Sequence, residues 1–172
     1  ANGNFLNPTT WDCNCIPFPW NNIIINSDVI LDTNWYTTVS FTITPGSSLI
    51  EDAVRSFAVN SGSFINNGTV DISRFAAWTG SVINNDSMRV NQLLYNAGGF
   101  ENHKVIVDVD SLSNNGTLKN LSGASITAQL YLNLDSVTNA GTITADGHTN
   151  TATGKSYNTG QLNFTDYTNA GI

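Results

Sequence analysis

Short apolar runs separated by polar corners dominate the chain. Ile23–Ile25, Val29–Leu31 and Val39–Ile43 are each followed by polar or turn-forming residues, and Val105–Val109 alternates between apolar and other positions. Runs of three to five residues are shorter than the strands typical of a β-sandwich, which have about five to six residues. They suit the short sides of a coil, meaning one turn of a β-solenoid, with Ile, Val, Leu and Phe facing inward and Ser, Thr and Asn facing outward.

A short phrase recurs at the corners: Asn, a small residue, Gly, a hydroxyl residue and an apolar residue. The corner Asn positions, in clear, looser or truncated copies, are Asn66, Asn84, Asn96, Asn114, Asn139 and Asn169. Asn and Gly accept positive φ, so the phrase indicates a tight corner between extended runs.

The spacing of these corners predicts the size of the repeat. The five intervals between Asn66 and Asn169 average about 21 residues, which is in the range of known solenoid repeats. One coil with three short strands and three corners needs about 20 residues, so we expect about seven to eight coils with a ladder of stacked Asn side chains. The long interval around Gly147 to Gly160 predicts a loop insertion.

The N-terminal segment, 1–22, lacks this pattern. Bulky aromatic residues, including Trp11 and Trp20, lie among prolines with no period of two. Solenoids need caps because a terminal coil has no neighbour to cover its apolar face. We therefore divide the chain into a cap segment, 1–22, and solenoid repeats, 23–172, within one domain. The alternative interpretation of the aromatic residues is a platform for sugar rings.

The other end of the sequence carries no comparable cap. It finishes at Ile172 inside a corner phrase, and an uncovered β end is a template for another strand. We expect Ile172 to mark an assembly end, which contacts either another subunit, head to tail, or the remainder of a longer chain.

Composition narrows the choice of partners. Six Lys and Arg residues against 13 Asp and Glu residues give a net charge of −7, so the chain cannot form the basic surface that nucleic acid requires. No apolar run approaches the length of roughly 18 residues that a membrane span needs, so we expect no membrane insertion. A start at Ala1 is compatible with a secreted, processed form.

Cys13 and Cys15 are the two cysteines of the chain, and they flank a single residue, Asn14. This pair is compatible with a local disulfide, with crosslinks between subunits or with buried thiols. Two thiols supply at most half of the four ligands of a structural zinc site. We therefore predict no metal and no other cofactor.

A second group of residues contains side chains of the kind that catalysis could use. Asp108 and Asp110 are predicted to face the same way on one strand, Asp71 could stack near them, and His103 and Lys104 are close in sequence. A carboxylate pair can serve polysaccharide hydrolysis. An outward polar face explains the same residues, and we predict no catalytic residues. Thr42-Ile43-Thr44 and Thr142-Ile143-Thr144 resemble ice-binding ladders but do not recur in every coil.

The chain resembles the β-helical regions of secreted and surface adhesin-like bacterial proteins of the Bacteroidetes type. The resemblance rests on the segment 63–70, Ser-Phe-Ile-Asn-Asn-Gly-Thr-Val, and on the opening segment with Asn2-Gly3-Asn4-Phe5 and Val29–Asp32. It implies export by an outer-membrane route, of the type IX kind. Three Asp-Ser-apolar triplets match the O-glycosylation motif of that group, which implies glycans on Ser87, Ser111 and Ser136. Asp-Ser is also an ordinary turn starter.

Together these observations predict an all-β protein: a right-handed, single-stranded parallel β-helix with an irregular aromatic N-terminal cap. The predicted function is structural, as an extracellular or cell-surface stalk, adhesin or filament subunit that assembles end to end through its open β-helix ends. The alternative is a carbohydrate-binding or polysaccharide-cleaving β-helix domain.

Overall fold

The computed structural model describes residues 2–170 and contains 19 β-strands and one short 3-10 helix, Pro8–Thr10. The strands are β1 (Gly3–Asn4), β2 (Ile23–Ile25), β3 (Asp28–Leu31), β4 (Trp35–Thr37), β5 (Ser40–Ile43), β6 (Ser48–Glu51), β7 (Ser56–Val59), β8 (Ser63–Asn66), β9 (Thr69–Ala77), β10 (Ser81–Asn84), β11 (Ser87–Asn96), β12 (Gly99–Asn102), β13 (Val105–Asn114), β14 (Thr117–Asn120), β15 (Ser125–Asn133), β16 (Ser136–Asn139), β17 (Thr142–Asn150), β18 (Lys155–Asn158) and β19 (Gln161–Asn169). The composition, rich in Ile, Val and Thr, favours these strands over helices.

The strands form two parallel sheets in which every neighbour comes from the adjacent coil. Sheet A runs β1-β3-β6-β9-β11-β13-β15-β17-β19, with β4 and β7 joining at its side, and sheet B runs β18-β16-β14-β12-β10-β8-β5-β2. Along sheet B, Ser81 pairs with Gly99, Gly99 with Thr117, and Thr117 with Ser136. The eight strands of sheet B, one per coil, confirm the all-β solenoid of about eight coils. The right-handed sense stays a prediction.

Each regular coil consists of a four-residue strand in sheet B, a turn, a strand of nine or ten residues in sheet A, and a second turn. The long strand is bent. The register shifts between Ile106 and Val109, and Asp108 has a φ of 59° at this bend. In an earlier coil the two halves are separate strands, β6 and β7, which both pair with β9. The coil therefore has three sides, two of which form sheet A.

The interior is a continuous apolar column because alternate residues of each strand face inward. Five phenylalanine rings pack against one another through the N-terminal half, in stacked and edge-to-face pairs with centroids 4.9 to 6.2 Å apart. They belong to Phe41, Phe57, Phe64, Phe75 and Phe100 and are at most 1% exposed. Smaller Ile, Leu, Val and Ala side chains fill the later coils. Close packing of this kind is what ties each coil to the next.

The region from Gly147 to Gly160 does not form the loop insertion that the sequence predicted. Residues 147–150 complete β17 and residues 155–158 form β18, with a short turn between them. The long interval between Asn139 and Asn169 arises because this coil turns without the full corner phrase: Gly154 follows Asn150 by four positions rather than two.

Candidate functional site

Two asparagine ladders run along the solenoid, one at each turn that joins the sheets. The first ladder follows the ends of the sheet B strands through Asn66, Asn84, Asn102, Asn120, Asn139 and Asn158. Each Nδ2 donates to Oδ1 of the next Asn, at 2.7 or 2.8 Å. The same amides also donate to backbone carbonyls, as Asn66 does to Ser87 at 3.0 Å.

The second ladder follows the ends of the long strands. It contains Asn96, Asn114, Asn133, Asn150 and Asn169, again with spacings of 2.7 or 2.8 Å. Asn114, for example, also donates to the carbonyl of Ser136 at 2.9 Å. The interior members of both ladders are buried. A buried amide is tolerated only when its hydrogen bonds are made, so the ladders hold the register of neighbouring corners.

The six corner residues predicted from sequence divide between these ladders. Asn66, Asn84 and Asn139 lie in the first, and Asn96, Asn114 and Asn169 lie in the second. Sequence reasoning missed Asn102, Asn120, Asn158, Asn133 and Asn150. A usable signal for most members was an apolar residue two positions before Asn, as in Phe100-Glu101-Asn102. Within each ladder this signal recurs at steps of 17 to 19.

The C-terminal coil presents core-facing side chains to solvent. Leu162 is 37% exposed and Tyr167 is 56% exposed, whereas their register partners in the preceding coil, Ile143 and His148, are 0% and 5% exposed. Phe164 stacks on His148 with ring centroids 4.3 Å apart. β18 and β19 are the last strands of their sheets. This coil is therefore an apolar end surface; the predicted assembly residue Ile172 lies outside the described residues.

Two polar groups are buried beneath this end surface. Burial lowers the pKa of His148 to about 4 and raises the pKa of Tyr131. The rings of these two residues are 4.7 Å apart. Among residues 2–170, His148 Nδ1 and the Tyr131 hydroxyl have no hydrogen-bond partner. His148 is consequently held neutral at pH 7.

The N-terminal end differs because an aromatic cap covers the apolar column. Phe5 is fully buried and packs against Trp11, Trp35 and Phe41, with ring centroids 4.5 to 6.4 Å apart. The Trp11 indole donates to the Phe5 carbonyl at 2.8 Å. The first residues of the predicted cap also extend sheet A, since β1 pairs with β3.

The chain after Trp11 forms a loop closed by a disulfide between Cys13 and Cys15. A groove of about 440 Å³ separates this loop from β2. Beyond the loop, the rings of Phe18 and Trp20 stack in parallel 4.9 Å apart and are 56% and 65% exposed. The cap therefore combines a buried plug with an exposed aromatic surface.

The acidic residues considered above as catalytic candidates, Asp71, Asp108 and Asp110, lie on the outer face of sheet A near Arg89. Arg89 Nε is 2.8 Å from Asp108, and its Nη1 is 3.7 Å from Asp71. Asp110 accepts a hydrogen bond from Gln129 at 3.2 Å. Because Arg89 lies between Asp71 and Asp108, their charges are partly compensated rather than directed at a common substrate position.

The two basic residues of that group lie elsewhere. His103 and Lys104 occupy the turn that precedes β13, and His103 is 3.3 Å from Glu101. Glu101 also pairs with Lys119 at 2.7 Å, and the hydrogen bonds from Lys119 and His103 lower the pKa of the Glu101 carboxyl. Lys104 is not among the residues that line the groove beside Asp108 and Asp110.

The three serines with the predicted glycosylation motif are partly exposed. Ser87 and Ser136 begin β11 and β16, immediately after the turns of the two ladders, and Ser111 lies in the second half of β13. Asp110 and Asp135, which precede two of them, are exposed. The Asp-Ser pairs at 86–87 and 135–136 therefore occupy turn positions as well.

Residues 2–170 contain no group of three or more His, Cys, Asp or Glu side chains suited to holding a metal ion. No helix in the same range has the length and apolar character to cross a bilayer. No protein-family model, curated protein or solved structure matches the chain.

Proposed function

We propose that the protein is an extracellular structural rod, a stalk, adhesin or filament subunit, that assembles through its C-terminal coil. The observation that carries the proposal is the apolar end surface of Leu162, Phe164 and Tyr167. The positions these residues occupy are buried in the preceding coil. Burying them against another molecule removes apolar area from water, which stabilises association by roughly 25 cal/mol per Å² before the costs of association.

The two ends of the rod suit a head-to-tail arrangement. Within residues 2–170, β18 and β19 are the last strands at the C-terminal end, which also carries exposed apolar side chains. The N-terminal end offers the outer surface of the cap, including exposed Phe18 and Trp20. Unlike ends produce a heterologous contact, which generates an open linear assembly when the rotation does not close. An extracellular location is supported by the Cys13–Cys15 disulfide, which needs an oxidising compartment to persist.

The test measures assembly and its dependence on the end surface. We expect the wild-type chain to form linear oligomers in light scattering and negative-stain images, with an axial repeat of roughly 40 Å for eight coils. The double variant Leu162→Asp/Tyr167→Asp should be monomeric. Leu130→Asp is the matched control, because Leu130 is 60% exposed on the side of the rod.

Two results would contradict the proposal. A wild-type protein that stays monomeric up to millimolar concentration would exclude self-assembly through this coil. Equal effects of the end variant and the Leu130 control would exclude the end surface as its cause. Longer single-chain rods from the natural source would instead show that further coils of one chain cover Leu162 and Tyr167.

The glycoprotein character implied by the resemblance belongs to this proposal. We infer O-glycans on Ser87, Ser111 and Ser136, whose partly exposed positions on the outer side of the strands favour modification. Site mapping by mass spectrometry of protein from its natural source is the test. If all three serines are unmodified, the glycosylation hypothesis is wrong and the Asp-Ser pairs serve only to start turns.

A second function is favoured by one specific observation. The parallel, exposed pair of Phe18 and Trp20 offers a flat apolar surface of the kind that packs against the face of a sugar ring. If the cap binds carbohydrate, Trp20→Ala should abolish retention on the recognised glycan. Trp78→Ala should not, because Trp78 is 49% exposed but lies on the side of the rod against Tyr95.

A further inference from the structure

Sheet B ends differently from sheet A at the N-terminal end of the rod. In sheet A, β1 covers the outer edge of β3. In sheet B, β2 is the terminal strand and pairs with β5 alone. The solenoid register therefore provides a position for one more strand beside β2, and no strand in residues 2–170 occupies it.

The outer edge of β2 carries unused backbone groups. The Ile25 carbonyl accepts from Thr44 N at 2.9 Å, on the side of β5. Backbone groups of successive strand residues point to opposite edges, so the N–H and C=O of Ile24 point away from β5. Within the described residues, no hydrogen bond reaches them from that side. Edge groups of this kind are templates for strand addition.

The groove of about 440 Å³ lies along this edge. Residues 21–27 form one side, and the disulfide-closed loop around Cys13 and Cys15 forms the other. The groove is roughly 17 Å long, as judged from the extended stretch from Asn22 to Asn26 that lines it. Ile24 is 65% exposed and contributes an apolar wall, and Asp12 is the one charged residue of the lining.

We propose that this groove binds an extended segment of a separate polypeptide, which adds to sheet B as a strand beside β2. The backbone of Ile24 supplies hydrogen bonds and the apolar wall selects alternating apolar side chains. Asp12 disfavours acidic segments. The groove has the disulfide-closed loop as its far wall and leaves room beside β2 for one extended segment. The groove lies at the N-terminal end, which the proposed head-to-tail contact also uses, so peptide binding is measured on dilute monomer and its failure is distinct from a failure of assembly.

The probe is the synthetic peptide acetyl-Val-Ser-Phe-Thr-Ile-Thr-amide, the sequence of residues 39–44, which already pairs with the other edge of β2. Hydrogen exchange is followed by NMR at single amides of the wild-type protein. We expect saturating peptide to slow exchange of the Ile24 amide at least tenfold. The Ile25 amide, on the β5 side, should change little. The same peptide with N-methylated backbone amides, which cannot donate edge hydrogen bonds, is the control.

A substitution tests the same edge. Ile24→Pro removes the N–H that faces the groove, and we expect peptide affinity to fall at least tenfold. Ile24→Val keeps both the N–H and the apolar wall, and we expect it to change peptide affinity about threefold or less. Should Ile24→Pro fail to fold, as judged by its circular dichroism, the exchange data on the wild-type protein decide alone.

Several outcomes would overturn the proposal. They are the absence of peptide binding up to millimolar concentration, binding that leaves Ile24 exchange unchanged, and equal protection by the N-methylated peptide. Protection of Ile24 by an oligosaccharide instead of the peptide would make the groove a sugar site. If protection of Ile24 rises with protein concentration in the absence of peptide, the groove binds a second copy of this chain.

Discussion

At the scale of single residues, the interior ladder amides combine burial with a dense set of hydrogen bonds. Asn114 is fully buried, accepts from Asn96 and donates to both Asn133 and the Ser136 carbonyl. Removing it leaves the amide of Asn96 and Oδ1 of Asn133 without this partner. A buried polar group that loses its partner costs about 1–3 kcal/mol.

We therefore predict that Asn114→Ala lowers the free energy of unfolding by about 3 kcal/mol. Asn115→Ala is the matched control, because Asn115 is the next residue and is exposed at the corner; it should cost less than about 0.5 kcal/mol. Urea denaturation of the two variants measures the difference. Equal losses would show that the corner backbone, rather than the ladder amide, carries the stability.

His148 predicts a dependence of stability on pH. Burial under Phe164 lowers its folded pKa to about 4 from an ordinary value of 6.5. Below pH 6.5 the unfolded chain binds a proton that the folded chain resists, so the free energy of unfolding falls as the pH drops toward 4. The full loss is about 3 kcal/mol.

The variant His148→Phe isolates this effect, since it keeps a ring in the stack and removes the titrating group. We expect it to lose the decline in stability between pH 6.5 and 5 that the wild-type protein shows. His103→Gln removes the other imidazole, which is exposed, and should keep that decline. Thermal melts at matched ionic strength are sufficient. A wild-type profile that is flat over this interval would contradict a buried neutral His148.

The ladder residues that the corner phrase did not identify show what this phrase can and cannot predict. Asn102, Asn120 and Asn133 are ladder members without a Gly two positions later. The phrase mainly detects turns with a Gly two positions after Asn, whereas membership of the ladder depends on the register of the preceding strand. The environment of His148 depends on which residue of the next coil lies above it, and a single strand pattern does not contain that information.

At the scale of strands and turns, the stacking of corners constrains glycine. A Cβ on Gly98 would collide with the carbonyl oxygen of Gly80 in the preceding coil, whereas a Cβ on Gly99 would meet no atom within 4 Å. Two adjacent glycines therefore have opposite roles. Gly98 permits the close approach of two corners, and Gly99 occupies an open position at the start of β12.

We predict that Gly98→Ala destabilises the fold by about 2–4 kcal/mol, since the corner or its neighbour must move. Gly99→Ala should be neutral or stabilise by up to about 1 kcal/mol, because it lowers the entropy of the unfolded chain at a compatible site. Thermal denaturation of the two single variants provides the comparison. Tolerance of Gly98→Ala would show that the stacked corners are not in close contact in solution.

The same scale shows why the repeat was predicted while its internal division was not. The mean interval between corner phrases is close to the true step from coil to coil, which is 17 to 19 within the two ladders. The short interval from Asn84 to Asn96 is a turn and one long strand, so it joins the two ladders. Three sides per coil were expected, but the bend at Asp108 hides the boundary between the second and third sides, because the strand continues through the bend with a register shift.

At the scale of the whole molecule, the rod formed by residues 2–170 has one covered end and one uncovered end. Each coil contacts only its neighbours, so opening free energies are set locally and the ends open first unless they are capped. Phe5 and Trp11 cover the column at the N-terminal end. No described residue covers Phe164 and Tyr167 at the other end.

This asymmetry predicts a gradient of hydrogen exchange along the wild-type monomer, measured at dilution low enough to prevent assembly. Amides of β19 should exchange fastest among the sheet A strands, those of β9 to β13 slowest, and those of β3 should stay protected because β1 and the cap cover them. Addition of protein to assembling concentrations should slow β19 selectively. Equal fraying of β3 and β19 would mean that the aromatic cap contributes little stability, and uniform exchange in all coils would mean that the solenoid unfolds as one cooperative unit.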